Sequence, residues 1–199
     1  MQIKIATLHD IGKIARLFDA YRQFYEQQAD LQRAAVFIHR RITKNESIIL
    51  FAENDQQQAV GFCQLYPSFC SVIAARIYVL YDLFTQPEAR KSGVGTALLN
   101  AAHQHAKDNK IARLDLTTAK NNVAAQSLYE SLGWVRDDIF YTYNKIDTAF
   151  CCTYFYGLYY YIFGICKSTG ALPSLVRISF TFEKCLHPKN PLLADSGLG

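Results

Sequence analysis

Two hydrophobic periods alternate along the chain, and the places where one gives way to the other mark its elements. Met1 to Thr7 alternates apolar and polar positions as a strand does. From Leu8 the repeat lengthens to about 3.6 residues: Ile11, Ile14, Ala15, Phe18, Tyr21 and Tyr25 share one face, which predicts a helix from about Leu8 to Gln27. Thr7-Leu8-His9-Asp10 opens it as a variant capping box, and Asp30 can cap a second helix through about Arg41. Ser47 to Glu53 and Ala59 to Phe69 read as the strands of a hairpin around an Asn54-Asp55 turn. A strand follows over Arg76 to Thr85, and Pro87, lacking an N–H for a ladder, prevents its continuation. Ala97 to Lys107 is helical, Ala112 to Thr118 alternates again, and Asn122 to Ser131 is a helix that Gly133 stops. Ile139 to Ile146 is the last predicted strand of this region, giving the order β-α-α-β-β-β-α-β-α-β.

Between the strand over Arg76 to Thr85 and the helix over Ala97 to Lys107 lies Arg90-Lys91-Ser92-Gly93-Val94-Gly95-Thr96, a glycine-rich turn joining a strand to a helix. Such a turn aims several backbone N–H groups and the positive end of a helix dipole at one point, which suits a pyrophosphate. A dinucleotide fingerprint needs a third glycine where Leu98 stands, and a nucleoside-triphosphate loop needs a Gly-Lys-Ser/Thr ending that is absent. A plain turn before a surface helix would share the same glycines.

The remaining pattern, Arg-x-x-Gly-x-Gly, resembles the acetyl-CoA pyrophosphate loop of the GNAT superfamily of N-acetyltransferases. A second motif stands about 30 residues on, after one intervening strand. Asn122-Val-Ala-Ala125-Gln-Ser-Leu128-Tyr129, followed by Leu132-Gly133-Trp134, resembles the superfamily's Asn-x-x-Ala-x-x-Leu-Tyr and aliphatic-Gly-aromatic stop. The resemblance covers about residues 1–146. It implies an α/β (α+β) fold with a mixed, mostly antiparallel central sheet flanked by helices on both faces. It also implies acetyl-CoA as co-substrate, with no metal, and direct attack of an amine on the thioester.

Acetyl transfer needs a held thioester, a neutral amine, a stabilised oxyanion and a proton for the leaving thiolate. The resemblance gives the first to the N–H groups of Lys91, Ser92, Gly93, Val94, Gly95 and Thr96, with Arg90 adding charge. It lays the pantetheine arm beside Leu83, Phe84 and Thr85, with an oxyanion donor at Leu83 or Phe84, and brings in Asn122 and Ala125 from the later helix. Tyr129 is the candidate general acid, since a phenol titrating near ~10 suits a thiolate leaving group. An alkylamine is neutral only about once in a thousand at pH 7, so a base matters. Asp82, a carboxylate in an apolar strand, is that base or else a hydrogen-bonding group that holds the strand apart. His103 and His105 read as surface residues. Tyr21, Tyr25 and Tyr66, with nearby carboxylates, suit an ammonium group through cation–π and ionic contacts, or simply belong to the core. A small-molecule amine is the first expectation for the acceptor and a protein amine the second. The rival function is a non-catalytic module that binds acyl-CoA and regulates a partner.

Composition narrows little beyond this. With 199 residues, half of them hydrophobic, the chain can bury one substantial core. A net charge of +4 without a basic, aromatic-interleaved run argues against a nucleic-acid partner. The six cysteines form no Cys-x-x-Cys pair, and the N-terminus carries no signal-peptide pattern, which places the catalytic part in the cytoplasm. The expected boundary falls at 147: a catalytic domain over 1–147 and an atypical C-terminal extension over 148–199. The extension opens with eighteen uncharged residues, Ala149 to Cys166, crowded with aromatics, and a strand pattern follows at Leu175 to Phe182. Tyrosines through its middle argue against a membrane span. An appended tail, an extra packed element or homodimer arm, and a membrane anchor all fit that composition.

Overall fold

Alternation on each strand sorts side chains to opposite faces of one sheet, and a helical layer covers each face. The computed structural model describes residues 1–145, which divide into two units after Trp134. In the first unit, five strands lie side by side in chain order: β1 (Gln2–Ile5), β2 (Ile48–Glu53), β3 (Ala59–Cys70), β4 (Ala75–Thr85) and β5 (Arg113–Leu116). The first four pair antiparallel, and β5 runs parallel to β4. Helices α1 (Ile11–Phe24) and α2 (Leu31–Thr43) cover one face, while α3 (Val94–Asp108) and α4 (Val123–Ser131) belong to the other. This is the mixed, mostly antiparallel architecture expected from the sequence.

Strand β2 shows the sorting directly. Ile49 and Phe51 enter the core beneath α1 and α2, with Ile14, Leu17, Ile38 and Phe62, while Leu50 and Ala52 enter the core beneath α3, with Leu65, Leu98 and Leu99. Each large side chain so buried contributes about 1.5–3 kcal/mol. At the far end of the strand, buried Glu53 accepts from both Lys4 and Lys13, and these contacts hold its carboxyl below the usual range.

Helix boundaries follow local chemistry. A 3-10 turn at Leu8–Asp10 occupies the start of the first predicted helix. Helix α1 ends at Phe24 rather than Gln27, because Glu26 adopts a left-handed φ of 60° and the Gln27 N–H returns to the Arg22 carbonyl. Buried Asp19 then accepts from Arg22, Gln23 and the Asp30 N–H, tying the end of α1 to the start of α2. Asp30 itself caps α2 by accepting from the Arg33 N–H. Helix α3 starts at Val94, so the last part of the glycine loop is already its first turn.

The expected strand over Ile139 to Ile146 is not formed across 139–145. There the Asp137 carboxylate accepts the N–H groups of Ile139 and Phe140, a local turn that takes donors a ladder would use. Ile146 and the 148–199 extension, with its span and strand patterns, lie outside the described residues. Among the described residues no helix is long and apolar enough to cross a membrane.

Candidate active site

A single extra residue in β4 shapes the site. Gln64 pairs with Asp82 but Leu65 pairs with Leu80, so Tyr81 has no counterpart in β3 and forms a bulge. Leu80 therefore packs in the α3-side core, while Phe84, four residues later and with the bulge between them, packs in the core under α1. Pairing of β4 with β5 also stops at Leu80–Leu116, which, among the described residues, leaves Asp82 to Thr85 without a strand neighbour on that side. The direction of the exposed backbone follows from one bond. The Gln86 N–H donates to the Val60 carbonyl, so by alternation Phe84 also faces β3, and Leu83 and Thr85 turn their N–H and C=O groups to the open side.

The glycine loop lies at the end of this open edge. Lys91 and Gly93 take left-handed φ values of 59° and 85°, and Ser92 Oγ donates to the Ala89 carbonyl at 2.7 Å. The first N–H groups of α3 have no carbonyl within the helix to accept them, so Val94, Gly95 and Thr96 present donors at its positive end. Arg90 reaches back to the Thr85 carbonyl and lies 5.7 Å from the centre of the Phe24 ring. Gly61 sets how near α3 comes: a Cβ there would stand 2.9 Å from both Phe84 O and Val94 Cγ1. Gly95 is close to α4, with Leu128 3.3 Å from where its Cβ would be, whereas Gly93 has open space and is required by its φ.

Across the opening, Asn122 caps α4 by accepting from the Ala125 N–H and donates toward Thr118 Oγ1. The half-buried Tyr129 hydroxyl also hydrogen-bonds Thr118, and burial, with the nearby Tyr25, raises its pKa despite that contact. Tyr25 in turn meets Tyr21 edge-on, with ring centres 5.1 Å apart. Tyr21 donates its hydroxyl to Asp82; its own pKa is raised by burial first and by the Asp82 charge next.

Asp82 is 5% exposed, and burial pushes its carboxyl up to about 6 against the opposing Tyr21 hydrogen bond. Tyr66, raised chiefly by burial, meets the bulged Tyr81 edge-on at 6.1 Å. Gln64, beside them on β3, is fully buried, with Nε2 donating to Ser47 Oγ at 2.6 Å and Oε1 left without a partner among the described residues.

The fold thus gathers Asp82, Tyr21, Tyr25, Tyr66 and Tyr129 around the open end of β4, with the loop and Asn122 beside it. His103 is exposed and His105 stacks on Tyr78, so neither joins them. Among the described residues no three His, Cys, Asp or Glu side chains cluster as metal ligands. Sequence reasoning missed Tyr81, Thr118 and the buried role of Gln64. A usable signal existed for the first: in Leu80-Tyr81-Asp82-Leu83 the alternation slips by one position, as a bulge requires.

Comparison with known proteins agrees with this architecture. The sequence model described as acetyltransferase (GNAT) family matches residues 14–134. An uncharacterized N-acetyltransferase of Bacillus subtilis, YhfO, is 46% identical over 72% of this chain and 95% of its own length. A probable acetyltransferase of Haemophilus influenzae is 30% identical over 67% of this chain and 90% of its own. The crystal structure of a probable acetyltransferase superposes with a TM-score of 0.70 at 36% identity, covering 74% of this chain and 98% of that one.

Proposed function

The chain belongs to the acetyltransferase (GNAT) family, and on that premise we propose that it transfers the acetyl group of acetyl-CoA to a primary amine by direct attack. The observation that carries this reading is the open edge of β4 beside buried Asp82, which is connected through Tyr21 and Tyr25 to Tyr129.

In this reading the N–H groups of Lys91 to Thr96 receive the pyrophosphate, and Arg90 supplies a nearby cation. The pantetheine arm lies along Leu83 and Thr85 as a neighbouring strand would, with Asn122 and Ala125 lining its other side. The outward N–H of Leu83, rather than that of Phe84, polarises the thioester carbonyl; such a donor is commonly worth about 3–4 kcal/mol in the transition state. Asp82 accepts a proton from the ammonium, and the freed nitrogen lone pair attacks the carbonyl carbon. Collapse of the tetrahedral oxyanion breaks the C–S bond, Tyr129 protonates the departing thiolate, the second proton of the attacking nitrogen passes to the Tyr129 phenolate, and the proton held by Asp82 leaves to solvent. The products are the amide and CoA thiol.

Tyr21, Tyr25 and Tyr66 around a buried carboxylate suit a small molecule that presents one ammonium group on an apolar arm. A regulatory acyl-CoA-binding module would need the loop but not a dried carboxylate paired to a tyrosine. The test is a panel of polyamines, aminoglycosides, amino acids and peptides with acetyl-CoA, read by product mass. Acetylation of at least one amine, lost on Asp82→Asn, is expected. Tight acetyl-CoA binding with no acetylated product across the panel would favour the regulatory module.

A further inference from the structure

The mechanism leaves the buried Gln64 amide unused. Gln64 is fully buried, and among the described residues its side-chain oxygen meets no donor, although an orphaned buried acceptor costs about 1–3 kcal/mol. Its amide nitrogen is committed to Ser47 Oγ at 2.6 Å, which fixes the oxygen lobe on the other side. Gln64 is the direct cross-strand partner of Asp82. Directly opposite residues of an antiparallel pair carry their side chains on the same face, with Cβ atoms about 5 Å apart.

We propose that Gln64 is a positioning residue for Asp82: its Oε1 accepts the hydrogen bond of the protonated carboxyl, so that the proton taken from the acceptor amine has a prepared place. Asp82 bears a negative charge before that transfer and a neutral O–H after it. The Tyr21 hydroxyl serves the first state by donating to the carboxylate, and Gln64 serves the second by accepting from the acid. Ser47 is the anchor that keeps the amide in this orientation, since the reverse orientation would offer Asp82 a donor and favour its charge instead. The other titratable groups around the pair are Cys63 and Tyr66 of β3, with Arg41 and Glu46 acting on Tyr66. The proton-transfer role rests on the reading of Asp82 as base; the Gln64–Asp82 pairing does not.

The experiment is a carboxyl-carbon NMR titration of the full-length protein labelled at aspartate, with the Asp82 signal assigned by its loss in Asp82→Asn. Gln64→Leu keeps the volume and removes the acceptor, and the Asp82 midpoint should fall by about one pH unit. Ser47→Ala, a milder change, frees the amide to turn its N–H toward the carboxylate and should lower the midpoint as well. A midpoint that stays in place or rises in the folded variants overturns the pairing. Turnover of Asp82→Asn with an amine acetylated by the wild type separates the two ideas. A shift in Gln64→Leu beside full turnover in Asp82→Asn removes the base and keeps the pairing. Lost turnover without a shift keeps the base and rejects Gln64.

Discussion

A carboxylate that is dried to raise its proton affinity weakens the fold that dries it. Asp82 moves from an ordinary 3.8 to about 6, chiefly through burial. Below the unfolded value the group is protonated in folded and unfolded chains alike, so no charge is buried. As pH rises through the folded value the native state must hold a charge that the unfolded chain carries more easily, and stability falls. A two-unit shift corresponds to roughly 2–3 kcal/mol. Asp82→Asn should therefore raise the free energy of unfolding by roughly 2 kcal/mol at pH 8 while removing turnover, as measured by urea unfolding and product mass. The base must also be ionised to act, so kcat of the wild type should drop tenfold per unit as pH falls below about 6. Tyr129 titrates above its ordinary value and stays protonated throughout that range. Tyr129→Phe should lower kcat by roughly a hundredfold with acetyl-CoA affinity nearly unchanged, which calorimetry and steady-state rates together can check.

At the scale of elements, the glycines act through different physics. A methyl on Gly61 would meet a main-chain carbonyl and Val94 at 2.9 Å, and the carbonyl cannot yield without moving β4. Gly61→Ala is expected to cost about 1–3 kcal/mol of stability and to loosen acetyl-CoA binding, because α3 carries the pyrophosphate donors. Gly93→Ala meets no atom, yet forces a left-handed φ of 85° on a residue with a Cβ, at roughly 1–2 kcal/mol in the same urea measurement. Much of this layout was legible because period and capping are local. The α1 stripe, Asp30 as the α2 cap, Asn122 as the α4 cap and the β2–β3 hairpin can each be read from a few adjacent residues. The Tyr81 bulge, the early end of β4–β5 pairing and the orphaned Gln64 depend on what lies opposite, which a single strand's pattern does not contain. The strand expected at 139–146 is absent across 139–145 for a related reason. Alternation within the segment does not register the Asp137 side chain just before it, which captures the Ile139 and Phe140 N–H groups.

For the whole molecule, the decisive comparison is between where the cores close and where the chain continues. Among the described residues, both core clusters draw on positions up to Trp134, the same residue at which the first unit and the family match end. Two relatives are matched over 90% and 95% of their lengths by only 67% and 72% of this chain, so most of the extra length here has no counterpart in them. The groups that the proposed mechanism uses, from Tyr21 to Tyr129, all fall before that boundary. A chain ending after Asp147 should then bind acetyl-CoA within about twofold of the full-length affinity, a difference of about 0.4 kcal/mol, and keep its turnover. The aromatic run at Ala149 to Cys166 makes solubility the property expected to change, with the shorter chain the less prone to aggregate at equal concentration. Calorimetric affinity, product formation and light scattering on the two chains measure these three quantities. Loss of binding or turnover in the shorter chain would assign part of the site or its support to 148–199.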